Sequence, residues 1–159
     1  MQIALMSDSH DNLPILHRAV KWCNDNMIDH VLHAGDLIAP FMNRALDNLR
    51  MPLTIVFGNN DGERHGLSVM FQNKIFAPPY EILLDNKKIV LLHEPDPMDQ
   101  LNLADYDLIL YGHTHSIDIR KGKPLIVNPG ELGGWLSGRA TFAVWDTNLD
   151  KITIIDITP

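Results

Sequence analysis

Cysteine is nearly missing from this chain: its 159 residues include one, Cys23. A lone thiol excludes an internal disulfide and a thiolate metal cluster, and its place in a helical pattern gives it a half-buried packing role. Basic residues are also scarce, 13 Lys and Arg against 20 Asp and Glu, for a formal charge of -7. That balance disfavours a polynucleotide partner, which needs a basic face, and any anionic ligand must be attracted by something local. Long apolar runs are absent too. No stretch approaches the ~18 residues of a membrane span, and Met1 to Asp8 has neither a basic n-region nor an apolar h-region. A cytoplasmic protein with no membrane association is the expectation. Repeats and low-complexity tracts are lacking.

What is present is an ordinary globular composition, 45% apolar and 21% charged. Residues 1–159 fit a single domain, which at this length buries on the order of 70% of its unfolded surface. Gln2 to Met6 reads as a strand buried on both faces, followed by polar residues 7–12 and a helix carrying Leu16, Ala19, Val20 and Cys23 at helical spacing. Asp29 to His33 is a second strand ending in Ala34-Gly-Asp36, with a short helix over Phe41 to Leu49. Pro52 to Phe57 is a third, ending in Gly58-Asn-Asn-Asp61. Strands alternating with helices imply parallel neighbours, with ligands beyond their carboxyl ends.

From Gly62 to Pro79 the pattern loosens into what reads as an insertion, with a short helix near Leu67 to Phe71. Tyr80 to Leu84 and Lys88 to Leu92 flank a hairpin turn, and His93 follows. A helical turn over Met98 to Leu103 precedes the strand Asp107 to Leu110 and the loop Tyr111-Gly-His-Thr-His-Ser116. Strands are then expected at 116–120, 124–128, 141–145 and 152–157, with a Gly-rich loop from 130 to 138. In extended chain, His113 and His115 would point to the same side, about 7 Å apart along the backbone.

Asp8, His10, Asp36, Asn59, His93, His113 and His115 all fall at strand ends. Singly, each suits a cap or a turn; together they form the oxygen and nitrogen ligand set of a metal centre. Two divalent ions a few ångströms apart need a shared carboxylate, and Asp36 is the natural bridge. Ser7, Ser9 and Thr114 read as hydrogen-bonding neighbours of such a site rather than as nucleophiles.

Asp8-Ser-His10, Gly35-Asp36, Gly58-Asn59, His93 and Gly112-His-Thr-His115, in this order, resemble the signature of the calcineurin-like metallophosphoesterases. The short length, residues 58–64 and Asn128-Pro-Gly-Glu131 are most similar to the small YfcE-type phosphodiesterases of bacteria and archaea. The resemblance implies an αββα fold, a two-sheet β-sandwich flanked by helices. It implies one metal on Asp8, His10, Asp36 and His115, and another on Asp36, Asn59, His93 and His113. Asp36, Asn59 and His113 would then be catalytic, the reaction being attack of a metal-bridging hydroxide on a small phosphate ester. Manganese is the first choice of metal; nickel, iron, cobalt and zinc suit the same ligands. Two dications against two aspartates leave the site positive, which attracts a phosphate ester to an acidic protein.

Two positions depart from the pattern. Larger relatives have a leaving-group-protonating histidine after the metal-binding asparagine, where this chain has Asn60, an amide that cannot serve as an acid. Glu94 stands where similar proteins commonly have glycine, and its simplest orientation is outward. Asp61, Arg64 and His33 join Asn60 and Glu94 as candidates for supporting the ligands or gripping the ester, while His17 and His30 read as ordinary packing, capping or exposed residues. Trp135 and its glycines read either as a pocket wall or as a sandwich corner. The two departures keep open an alternative function, a catalytically weak or inactive binding or scaffold module like the retromer subunit of this fold. An apolar side on the hairpin region would suit a homo-oligomer.

Overall fold

The computed structural model describes residues 1–159. Its strands are β1 (Gln2–Met6), β2 (His30–His33), β3 (Leu53–Val56), β4 (Ile75–Phe76), β5 (Tyr80–Leu84), β6 (Lys87–Leu91), β7 (Leu108–Leu110), β8 (Ile117–Arg120), β9 (Leu125–Pro129), β10 (Thr141–Asp146) and β11 (Lys151–Asp156). Its α-helices are α1 (Leu13–Asp25), α2 (Asn43–Leu46) and α3 (Arg64–Met70), joined by 3-10 turns at Pro40–Met42, Asp96–Gln100 and Leu103–Asp105.

Helix α1 begins where the Asn12 side-chain oxygen accepts the Ile15 N–H, and Pro14 sits in the first turn, where no N–H is needed. Ile15, Leu16, Ala19, Val20 and Cys23 form its buried stripe. At about 1.5–3 kcal/mol for each large side chain, burial of that stripe outweighs the helix's modest intrinsic propensity. Cys23 is fully buried rather than half-buried, and burial pushes its thiol up to about 12, so it stays protonated.

Two sheets stack face to face. The first runs β11-β10-β1-β2-β3-β4 and the second β5-β6-β7-β9-β8. Neighbours from β1 to β4 are parallel, as are β6, β7 and β9, while β5, β8, β10 and β11 run antiparallel to their neighbours. Between the sheets lie Ile3, Leu5, Leu32 and Val56 from one and Ile89, Leu91, Leu108 and Val127 from the other, closed by Trp145. The α-helices cover the outer face of the first sheet over Ala4, Met6, Val31 and Ile55. On the outer face of the second, Val90, Leu92 and Ile109 pack with Met98 and Tyr106 of the 3-10 segments.

The stretch expected as an insertion is built into the fold: α3 packs through buried Leu67, and β4 extends the first sheet beside β3. The helix expected over Phe41 to Leu49 shortens to a 3-10 turn and one turn of α-helix, which ends where the Asn48 side chain donates to the Arg44 and Ala45 carbonyls. Parallel pairing has the decisive consequence for function. It brings the carboxyl ends of β1, β2, β3, β6, β7 and β9 to one edge of the sandwich, so loops far apart in sequence become neighbours.

Candidate metal centre

Backbone hydrogen bonds stitch those loops together. Asp8 N–H donates to Gly35 O and His10 N–H to Asp36 O, both at 3.0 Å, while Gly112 N–H donates to His93 O at 3.0 Å. The sheets are joined where the His113 N–H meets Asp8 Oδ2 at 3.0 Å and Gly133 N–H meets Asp8 O at 2.8 Å. A side chain on Gly112 would collide, since its Cβ would stand 1.8 Å from Ser7 Oγ and 2.5 Å from Asp8 Oδ2.

All seven strand-end residues come together. His10 Nε2 lies 3.6 Å from Asp8 Oδ1 and 3.4 Å from Asp36 Oδ2, and His115 Nε2 lies 3.6 Å from Asp8 Oδ1. On the other side of Asp36, His93 Nε2 is 3.4 Å from Oδ2 and 2.8 Å from Asn59 Oδ1, which is 3.0 Å from His113 Nδ1. Asp36 Oδ2 thus faces both halves.

The geometry of the two histidines differs from the extended chain expected. His113 and His115 are in the left-handed region, with φ of 66° and 57°, so the backbone coils and sends one ring to each half of the cluster. Asp8, His10 and Asp36 are left-handed as well, at φ 54°, 42° and 60°. That conformation is unfavourable for side chains other than glycine, although Asn, Asp and His tolerate it best. Its recurrence at five clustered polar residues marks a backbone bent to aim side chains at one place.

The residues around the cluster fix which ring atoms face inward. His93 Nδ1 lies 2.7 Å from the carbonyl of Ala34 and must donate to it, which leaves an Nε2 lone pair toward Asp36 and Asn59. His115 Nδ1 likewise lies 3.0 Å from the buried Glu131 carboxylate, leaving its Nε2 lone pair toward Asp8. His10 Nε2 is buried without a hydrogen-bond partner. Lone pairs of nitrogen and oxygen aimed at one another repel unless a proton or a cation lies between them. Separations near 3.4 Å suit ligands about 2.1 Å from a common divalent ion, and the donor set, N and O without sulfur, fits such ions. The electrostatics agree. Against burial, which pushes it up, His93 and Asn60 hold the Asp36 carboxyl far below the usual range. Asp8, together with Asp36 and Glu131, raises His10 against burial. At His93 burial acts downward, and Asp36 outweighs it.

Supporting residues separate into several roles. Asp61 is buried and accepts the N–H groups of Asp36, Ile38 and Gly58 at 3.1, 2.7 and 2.7 Å, tying two ligand loops together. Asn60 donates its side-chain N–H to Asp36 Oδ2 at 2.8 Å and its backbone N–H to Oδ1 at 2.9 Å. His33 is fully buried with Nδ1 accepting the Gly35 N–H, and burial lowers its pKa to about 4. His30 is also buried, bonded to Thr54, and His17 is exposed on α1. Arg64 lies over the Phe57 ring, 5.1 Å from its centroid, and donates to Gly58 O at 3.2 Å. Glu94 is exposed, and with Arg64, Pro78 and Pro97 it lines a cleft that reaches Asn59 and His93.

Two residues with no individual role assigned from sequence complete the surroundings. Glu131 was distinguishable only as part of the Asn128 to Glu131 segment. Buried Asn128 donates to Gly112 O at 2.7 Å and Thr114 Oγ1 at 3.0 Å, shaping the histidine loop.

A sandwich with this ligand edge defines a phosphoesterase architecture, and comparison with known proteins agrees. Residues 1–150 match the calcineurin-like phosphoesterase superfamily domain, and the chain belongs to that family. Among its relatives is phosphodiesterase MJ0936 of Methanocaldococcus jannaschii, 33% identical over 156 residues, which cover 92% of this chain and 93% of that protein. A solved archaeal phosphodiesterase superposes with a TM-score of 0.88 at 30% identity, covering 99% of this chain and 100% of that one. The Escherichia coli phosphoesterase YfcE shares the fold with a TM-score of 0.70 at 22% identity, covering 99% and 100%.

Proposed function

We propose that this member of the family is a phosphodiesterase that hydrolyses a small phosphate ester at a centre of two divalent cations. The observation that carries the reading is the convergence of Nε2 of His10, His93 and His115 on the carboxylates of Asp8 and Asp36. One cation would take Asp8, His10, Asp36 and His115, and the other Asp36, Asn59, His93 and His113, with manganese the first choice. Such ions supply an ionised water near neutral pH, orient the ester oxygens and neutralise the charge that builds on them.

The chain's own residues do the rest. Asp36 faces both halves and is held ionised, and Asp61 fixes the loops that carry Asp36 and Asn59. Arg64 offers its guanidinium to an ester oxygen from the cleft wall, while Glu94, lining the same cleft, disfavours strongly anionic esters and so favours diesters over monoesters. Asn60 can hold Asp36 but cannot protonate a leaving group, which favours esters whose leaving groups need no acid.

The test is an assay of chelator-stripped protein on bis-p-nitrophenyl phosphate and p-nitrophenyl phosphate across a panel of divalent metals. Turnover restored by metal, higher on the diester and abolished in Asp36→Asn and His113→Ala is the expected result. Absence of turnover with every metal overturns the reading.

A further inference from the structure

Trp135 is 63% exposed and its neighbour Leu136 is 78% exposed, yet both belong to a tightly held loop. The Trp135 and Leu136 N–H groups donate to the Glu131 carboxylate at 3.0 and 2.9 Å, as does that of Ser137. The indole is fixed at its far end as well, with Nε1–H donating 2.9 Å to the carbonyl of His10. Its Cδ1 would stand 3.0 Å from a Cβ on Gly133, so glycine there lets the ring lie against the loop. Beside the ring runs an open slot lined by Asn12, Gly133, Gly134, Gly138 and Thr158. A Cβ on Gly138 would meet nothing within 4 Å.

A hydrogen bond to a carbonyl needs no bicyclic ring, and an exposed ring gains little from burial. What this arrangement provides is a flat apolar surface whose orientation is set before anything binds, tied to His10 and to Glu131, the residue that orients His115. Pre-organised aromatic faces bind planar rings, and bases above all, because every base has a π-face and little ordering entropy is lost. The acidic chain offers no track for a longer strand.

We infer that Trp135 is a stacking platform for a nucleobase, so that the substrate class is a small nucleoside phosphodiester. This rests on the phosphoesterase reading of the adjoining centre. The indole is a specificity residue here, and the Phe and Leu replacements separate its face from its hydrogen bond, since both lose the bond to His10 and one keeps a ring.

The experiment compares the p-nitrophenyl ester of adenosine 5′-phosphate with methyl p-nitrophenyl phosphate, which share a leaving group, in wild type, Trp135→Phe and Trp135→Leu. Wild type is expected to show a KM about tenfold lower for the adenosine ester, with most of that preference kept in Trp135→Phe and lost in Trp135→Leu. Calorimetric titration of metal-loaded protein with the phosphonate isostere of AMP, which has no ester to cleave, should give the same order of affinities. Equal KM values in wild type, or a preference surviving in Trp135→Leu, overturn the platform while leaving the phosphoesterase reading intact. If neither ester is cleaved with any metal, the phosphoesterase reading fails, and the titration decides the platform: similar affinities in the Phe and Leu variants overturn it.

Discussion

Glu131 Oε2 lies 3.0 Å from Nδ1 of His115, on a fully buried carboxylate that also accepts three backbone N–H groups of the following turn. Burial pushes Glu131 up, but the donors from Ser137, His115 and Leu136 overcome it and keep it ionised. The pair fixes the ring tautomer that points Nε2 at Asp8. An amide cannot accept on both of its sides, so Glu131→Gln breaks either the turn or the histidine contact. The expected loss is about 10–100-fold in affinity for the metal proposed at His115, read by calorimetric metal titration.

Asn60→His restores a proton donor beside Asp36. Activity on a diester with an alkyl leaving group should rise by about 10²-fold relative to the p-nitrophenyl diester, whose leaving group needs no protonation. An unchanged ratio of the two rates would remove Asn60 from the account of leaving-group preference.

In the cleft beside Asn59, Arg64→Ala should raise KM about 5–20-fold with a smaller change in kcat if, as proposed, the guanidinium grips the ester away from the reacting bond. Glu94→Gly should act oppositely and improve the monoester more than the diester, since the monoester carries the larger negative charge. Steady-state kinetics on both esters at low and moderate salt check the pair.

Gly112→Ala places a Cβ against Ser7 Oγ and Asp8 Oδ2 in a spot with no free space. A destabilisation of about 3 kcal/mol or more is expected in denaturant unfolding, together with weakened metal binding, because the collision falls on a proposed ligand.

His33 gives a pH dependence with a definite sign. Its folded pKa, about 4, lies below the ordinary 6.5, so below pH 6.5 the unfolded chain takes the proton more readily and stability falls with pH until about 4. Between pH 8 and pH 5 this group alone removes about 2 kcal/mol. His10 and His93 are raised, so in metal-stripped protein they act in the opposite direction, contributing stability below 6.5 that is lost as pH rises. The clean measurement is therefore a difference. His33→Asn, which keeps an acceptor for the Gly35 N–H, should lose about 2 kcal/mol less than wild type over that range.

Much of this molecule was legible in its sequence because each strand declares itself by an apolar run and ends abruptly in Asp, Asn or His. Parallel pairing then forces those ends to one edge, so Asp8, Asp36, Asn59 and His93 are found by reading where the runs stop. What was not legible depends on contacts between distant segments. Glu131 sits in a Gly-rich loop with no periodicity, and only folding brings it to His115. The left-handed turns at His113 and His115 leave no composition signal, so extended geometry was the natural expectation and was wrong. Glu94 follows His93 in sequence, yet the cleft it lines is completed by Arg64 and Pro78 from distant segments, which sequence order does not bring together. The β4 strand is two residues long, too short to show alternation, and exists because β3 offers an open edge.

The stitching of the two sheets at Asp8 bears on how the protein is made. Asp8 is synthesised well ahead of its partners His113, His115 and Gly133, the first of which follows it by 105 residues. Neither proposed ligand set can be complete before His113 has left the ribosome. Until His115 has emerged, a nascent chain can offer a metal only partial versions of the proposed sets, so metal occupancy would report that loops from the two sheets have come together.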